Sequence, residues 1–143
     1  MKKIILIALV LLGLFFLIPN SNSKKRELIK ELSPLACDLN QTECVINYKG
    51  KDISFNIEPK PLKVLEESKI IIKNLDEIKD LNARLYGLNM YMGDIVGEFE
   101  RIDNEYLANI VFSTCAENTM RYRLELFSKD KSLGLFIDFD VRR

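Results

Sequence analysis

Histidine and tryptophan are absent from this chain of 143 residues. Without histidine, neither a Ser-His-Asp or Cys-His nucleophile nor a His-ligated zinc site can be assembled. An excess of charge of one sign is missing too: 21 Lys and Arg balance 21 Asp and Glu. That balance argues against a general nucleic-acid binder. Glycine is sparse and forms no phosphate-cradling pattern, so Gly87, Gly93 and Gly97 read as turns or bulges. There is no C-x-x-C pair, no internal repeat and no low-complexity segment. Cys115 therefore lacks the usual means of becoming a redox nucleophile, and the chain is expected to bind rather than to catalyse.

What is present begins with a leader. Lys2 and Lys3 open the chain, residues 4–18 are an apolar run diluted only by Gly13, and residues 19–23 are polar and small. This is the order of a secretory signal, with Ser21 and Ser23 as the small residues before a cut. The rival is an uncleaved membrane anchor. A helix over the apolar run spans roughly 22 Å, short of the roughly 30 Å hydrocarbon core, so local thinning and snorkelling lysines would have to complete it. Lys24, Lys25 and Arg26 follow directly and disfavour cleavage. Residues 1–23 are thus a signal peptide or a membrane anchor, and both readings put the remainder outside the cytoplasm. No cysteine near the end of the run offers a lipid attachment point, and no early acidic residue suggests a pilin.

The rest divides by period. Leu28, Ile29 and Leu32 share a helical face, which predicts a short helical stalk over residues 24–34 ending at Pro34. Beyond it, residues 35–143 alternate with period two. Ile53, Phe55 and Ile57 form one such set and Ile70, Ile71 and Ile72 a buried run. Tyr106, Ala108, Ile110 and Phe112 form another, followed by Met120, Tyr122, Leu124 and Leu126, then Leu133, Leu135, Ile137, Phe139 and Val141. One helical turn is expected over residues 61–67, and a single strand over 95–102. About eight short strands with frequent turn signals predict an all-β fold. The expected form is an antiparallel, immunoglobulin-like sandwich behind an N-terminal hydrophobic helix, with a small barrel as the alternative.

Sulfur is the distinctive chemistry. Cys37 and Cys44 flank a polar segment containing Asn40, Gln41 and Thr42, a turn able to bring both sulfurs together in an oxidising compartment. Three cysteines allow three single pairings, of which Cys37–Cys44 is favoured. Met90 and Met92 would share a face on an extended backbone. Cys115 is placed in a loop and Met120 opens the next strand, and a sandwich gathers such loops at one end. Met90, Met92, Cys115 and Met120 make a candidate Cu(I) site, since thioether and thiolate donors select that soft ion. The competing reading has the methionines filling gaps in the core beside Tyr86, Tyr91 and Phe99.

Residues 85–93, Leu-Tyr-Gly-Leu-Asn-Met-Tyr-Met-Gly, with Cys115, Met120, Arg121 and Arg123 downstream, resemble small membrane-attached envelope proteins of Gram-negative bacteria of the FixH/YtkA-like group. The resemblance covers about 40 residues, with residues 90–93 matching best. It implies a β-sandwich on the periplasmic side of the inner membrane, held there through residues 4–18. It also implies work alongside a copper chaperone or an oxidase subunit in respiratory oxidase assembly. The absence of histidine departs from periplasmic Cu(II) sites and leaves Cu(I). The alternative is a metal-free envelope module that docks a partner protein.

Arg121 and Arg123 project from one strand face. They read either as partner-docking residues or as cross-strand ion pairs with Asp138 or Asp140. Asp94, Glu98 and Glu100 alternate in the same way and are expected on a solvated face.

Overall fold

The computed structural model describes residues 26–143. The leader at residues 1–23 lies outside the described residues. Among those described, no helix is long and apolar enough to cross a membrane.

Period-two alternation becomes nine strands: β1 (Cys44–Tyr48), β2 (Lys51–Glu58), β3 (Glu67–Lys73), β4 (Leu81–Gly87), β5 (Asp94–Glu98), β6 (Glu100–Ile102), β7 (Glu105–Val111), β8 (Thr119–Ser128) and β9 (Lys131–Arg142). They form two antiparallel sheets, one in the order β1-β2-β3-β7-β6 and the other β5-β4-β8-β9. The tight hairpins use residues that accept a left-handed backbone: Lys49 and Gly50 have φ of 52° and 81°, Asp103 and Asn104 48° and 67°. Two consecutive positive φ values match the right-handed twist of the strands they join.

The inner faces carry the expected apolar sets. Phe55, Ile57, Ile70 and Ile72 from one sheet meet Leu85, Leu124, Leu126 and Phe139 from the other, all fully buried. At one end Phe112 packs on Tyr122 and Phe139, with ring centroids 5.3 and 5.9 Å apart. Each such side chain contributes about 1.5–3 kcal/mol by leaving water.

Three expectations need correction. No helical turn forms over residues 61–67. Residues 95–102 are not one strand: the run breaks at Phe99 and changes sheets, β5 pairing with β4 and β6 with β7. Gly97 permits this, because a Cβ there would lie 3.0 Å from Ile110 Cγ2 across the sheet interface. The stalk helix is also absent from its described part, residues 26–34. These residues lie as a non-helical strap along the β5-β4-β8-β9 sheet. Ile29 N–H donates to Leu88 O at 2.9 Å, and the Ser33 carbonyl accepts from the Arg121 guanidinium. So short a helix is marginal by itself, and the strap gains partners on the sheet that a helix would forgo.

The strap runs into a loop closed by a Cys37–Cys44 disulfide, Cα–Cα 6.0 Å, as the spacing suggested. A cross-link over so short a loop stabilises by about 2–3 kcal/mol, mostly by constraining the unfolded chain.

Candidate functional site

β4 delivers the methionine segment to one end of the sandwich. Residues 88–93 do not continue as a strand; they bend at 88–90, and Gly93 takes φ 77°. The expected extended run over residues 87–93 is therefore replaced by a loop. In that loop Tyr91 is 75% exposed, whereas Met90 and Met92 are half-buried against the core, as the gap-filling reading has them. Asn89 fastens the loop. Its Nδ2 donates to Thr119 O at 2.9 Å and its Oδ1 accepts from Arg121 N–H at 2.9 Å, while Leu88 N–H donates to Arg121 O at 2.7 Å. A side-chain amide thus extends the β4–β8 ladder past the last strand residue.

The loop at residues 113–118 precedes β8 directly, so the Asn89 contacts hold the two sulfur-bearing loops at the same end. Cys115 is a free, half-buried thiol that packs against the core, with Sγ 3.5 Å from Glu117 O. Met120 lies beneath, 2% exposed. Gly87 ties the group together. A Cβ on it would sit 2.3 Å from Met90 O and 2.6 Å from Met120 Cε, so the Met120 methyl and the Met90 backbone converge on one glycine.

Among the described residues, no group of three or more His, Cys, Asp or Glu is placed to hold a metal ion. Met90, Met92 and Cys115 are half-buried against the core, and Met120 is buried within it.

Tyr122 borders this end. Its Oη donates to Ser113 O at 3.4 Å, and its phenol pKa is pushed up to about 12, first by burial and then by the electrostatic influence of nearby Cys115. The folded state therefore holds the phenolic proton more tightly than the unfolded chain does. The sign follows from linkage: this contribution is complete below the unfolded value of 10.0 and disappears as pH climbs toward about 12. Denaturation measured across that window should show the wild type losing roughly 2–3 kcal/mol more than Tyr122→Phe. Parallel losses in the two proteins would show that Tyr122 is not the titrating group.

Arg121 and Arg123 part company. The β8–β9 register sets Arg121 opposite Asp140 and Arg123 opposite Asp138, which resolves the pairing that periodicity left open. Arg121 Nε and Nη2 bond Asp140 at 2.8 and 2.9 Å. Arg121 is 5% exposed under the strap, so it does not offer a docking charge. Arg123 bonds Asp138 at 2.7 and 2.9 Å and stacks 4.1 Å over the half-exposed Phe136 ring. Only Arg123 of the two stays within reach of a partner. The Asp94, Glu98 and Glu100 set is divided by the sheet change at Phe99, and Asp94 is taken by a bidentate pair with Arg26.

Sequence reasoning missed Arg26, whose guanidinium lies 3.7 Å over the Tyr86 ring while pairing with Asp94. No local signal marks that role, because both partners are more than 50 residues away. Comparison with known proteins yields no matching family model, curated protein or solved structure.

Proposed function

We propose that this chain is an accessory domain on the periplasmic side of the inner membrane that holds Cu(I) as cargo during respiratory oxidase assembly, binding rather than catalysing. Met90, Met92 and Cys115 would grip the ion, with Met120 below. The observation that carries the reading is that Asn89 ties the methionine loop to the start of β8, at the same end as the Cys115 loop, with the Met90 carbonyl and the Met120 methyl against Gly87. The likeness of residues 85–93 to the FixH/YtkA-like group supports the same cargo and setting. The leader and the Cys37–Cys44 disulfide support an oxidising compartment. Thioethers need no deprotonation, so the two methionines would keep the ion at acid pH, and only the Cys115 contribution would depend on proton release.

The same proposal takes the sheets as immunoglobulin-like. Strand order β2-β3-β7-β6 facing β9-β8-β4-β5 follows the A-B-E-D and G-F-C-C′ arrangement. The Tyr122 bond to Ser113, from early in β8 back to the preceding corner, resembles the tyrosine corner of those domains.

The test is an anaerobic Cu(I) titration of the full chain in competition with a chromophoric chelator. Stoichiometric binding that survives acidification is expected. Met90→Leu/Met92→Leu should weaken it by at least about 100-fold, since losing even an outer-sphere partner of a metal costs about 10–100-fold. Unchanged binding in that variant would remove the thioether site.

A second reading, a metal-free module that docks a partner protein, draws on two observations: Met90 and Met92 pack against the core and Met120 within it, and one side of the domain carries a groove. The groove, of about 330 Å³, runs between the strap and the β1 and β9 edges, lined by Pro34, Leu35, Val45 and Phe136. Val45 and Phe136 remain 61% and 45% exposed. Membrane crosslinking through a photoreactive residue at Val45 separates the readings, since a copper carrier with no neighbour there gives no adduct.

A further inference from the structure

We infer that Asn40 is an acceptor for asparagine-linked oligosaccharide, transferred outside the cytoplasm from a lipid-pyrophosphate-linked donor. Asn40-Gln41-Thr42 is an N-x-T acceptor sequence, and no other asparagine of the chain has Ser or Thr two positions on. The inference rests on the exported location proposed above.

The geometry suits the chemistry. Residues 38–42 make a tight turn: Gln41 and Thr42 N–H both donate to Asp38 O, at 2.9 and 3.0 Å, and Asn40 N–H donates to Asp38 Oδ1 at 3.0 Å. Gln41 and Thr42 are exposed at its tip, and the Thr42 hydroxyl, two residues after the acceptor, donates locally to Glu43 O at 3.3 Å. The disulfide closes the base of the loop. Asp38 adds a carboxylate two residues before the acceptor, against which a cationic side chain of the enzyme can register. Its Oδ2 is engaged only by Gln41 Nε2, at 3.3 Å, among the described residues.

Asn40 divides its amide between two tasks. Oδ1 accepts from Leu62 N–H at 2.6 Å and orients the group. Nδ2 has no partner among the described residues, and no fully buried side-chain polar atom there is left unpaired, so Nδ2 keeps some access to solvent. Transfer would form a bond from Nδ2 to the anomeric carbon of the donor sugar. The bond from that carbon to the pyrophosphate oxygen breaks, the pyrophosphate leaves with the electron pair, and one Nδ2 proton passes to a base of the transferase. Oδ1 stays a carbonyl oxygen, so the bond to Leu62 survives modification and the fold has no need to rearrange.

The full chain, expressed in a bacterial host that exports it and carries an oligosaccharyltransferase with its lipid-linked oligosaccharide, should gain the mass of one oligosaccharide. Thr42→Ser should keep that increment. Thr42→Ala, which leaves the Asn40–Leu62 bond and the disulfide untouched, should lose it, as should Asn40→Gln. An oxidised chain with one alkylatable cysteine and the unmodified mass would overturn the acceptor site alone. A chain with three alkylatable cysteines would overturn both the site and the exported location. An increment that persists in Thr42→Ala and Asn40→Gln would place the sugar elsewhere and also overturn it.

Discussion

Replacing Arg121 with methionine should cost the domain about 3–5 kcal/mol of stability, the usual result of stripping one partner from a buried ion pair. Asp140 is itself buried, and its carboxylate takes both Arg121 bonds. With the guanidinium gone it must stay charged without a partner or take up a proton, and either is unfavourable in a low-dielectric site. The damage should also spread. Arg121 bonds the Ser33 carbonyl, and Asp140 N–H donates to Asp38 Oδ1 at 3.3 Å, so one knot holds the strap and the disulfide loop to β8 and β9. Arg121→Met/Asp140→Leu should recover most of the loss, because the desolvation of two charges disappears with their attraction. Urea denaturation of the single and double variants checks this. A double variant no more stable than Arg121→Met would mean that the strap contact, rather than the orphaned carboxylate, dominates.

Gly87→Ala should destabilise by about 1–3 kcal/mol and weaken Cu(I) uptake at the same time. The added methyl group would lie 2.6 Å from Met120 Cε and 2.3 Å from Met90 O. The first obstruction is the mobile end of a side chain and can swing aside. The second is backbone, so the loop bearing Met90 and Met92 must move. Movement of the Met120 tip alone therefore cannot relieve the substitution. Gly93→Ala provides the contrast. Nothing lies within 4 Å of its Cβ position, but φ is 77°, so its cost of about 1–2 kcal/mol comes from backbone handedness alone. Calorimetry with the chelator competition separates the two glycines. Full copper affinity in Gly87→Ala would disconnect Gly87 from the site.

Met90 and Met92 show where reading by period stops. Their common side was derived from a strand that does not form; the loop that replaces it leaves Tyr91 exposed and packs both methionines against the core. The sheet outline, by contrast, was legible. Along β7, β8 and β9 most residue types match their burial, because one face of an antiparallel strand meets the core and the other meets water; buried Arg121 and Asp140 and exposed Val111 and Phe136 are the departures. The strap was not legible. Leu28, Ile29 and Leu32 have helical spacing, yet all three are more than a third exposed, and the partners that determine the strap's path are Leu88 and Arg121.

Composition and alternation by themselves determined the two-sheet β architecture, most of its core and the short loop that a disulfide closes. These are local properties: which side chain prefers water, and how far apart two sulfurs can be along the chain. Only the tertiary structure decided which aspartate answers which arginine, that Phe99 marks a change of sheet, and that Arg121 lies under the strap while Arg123 remains in reach. It also brought residues 88–93 beside Thr119. Those outcomes depend on strand register and on partners distant in the chain, and a one-residue shift of β9 against β8 would reverse the faces without changing a letter of the sequence.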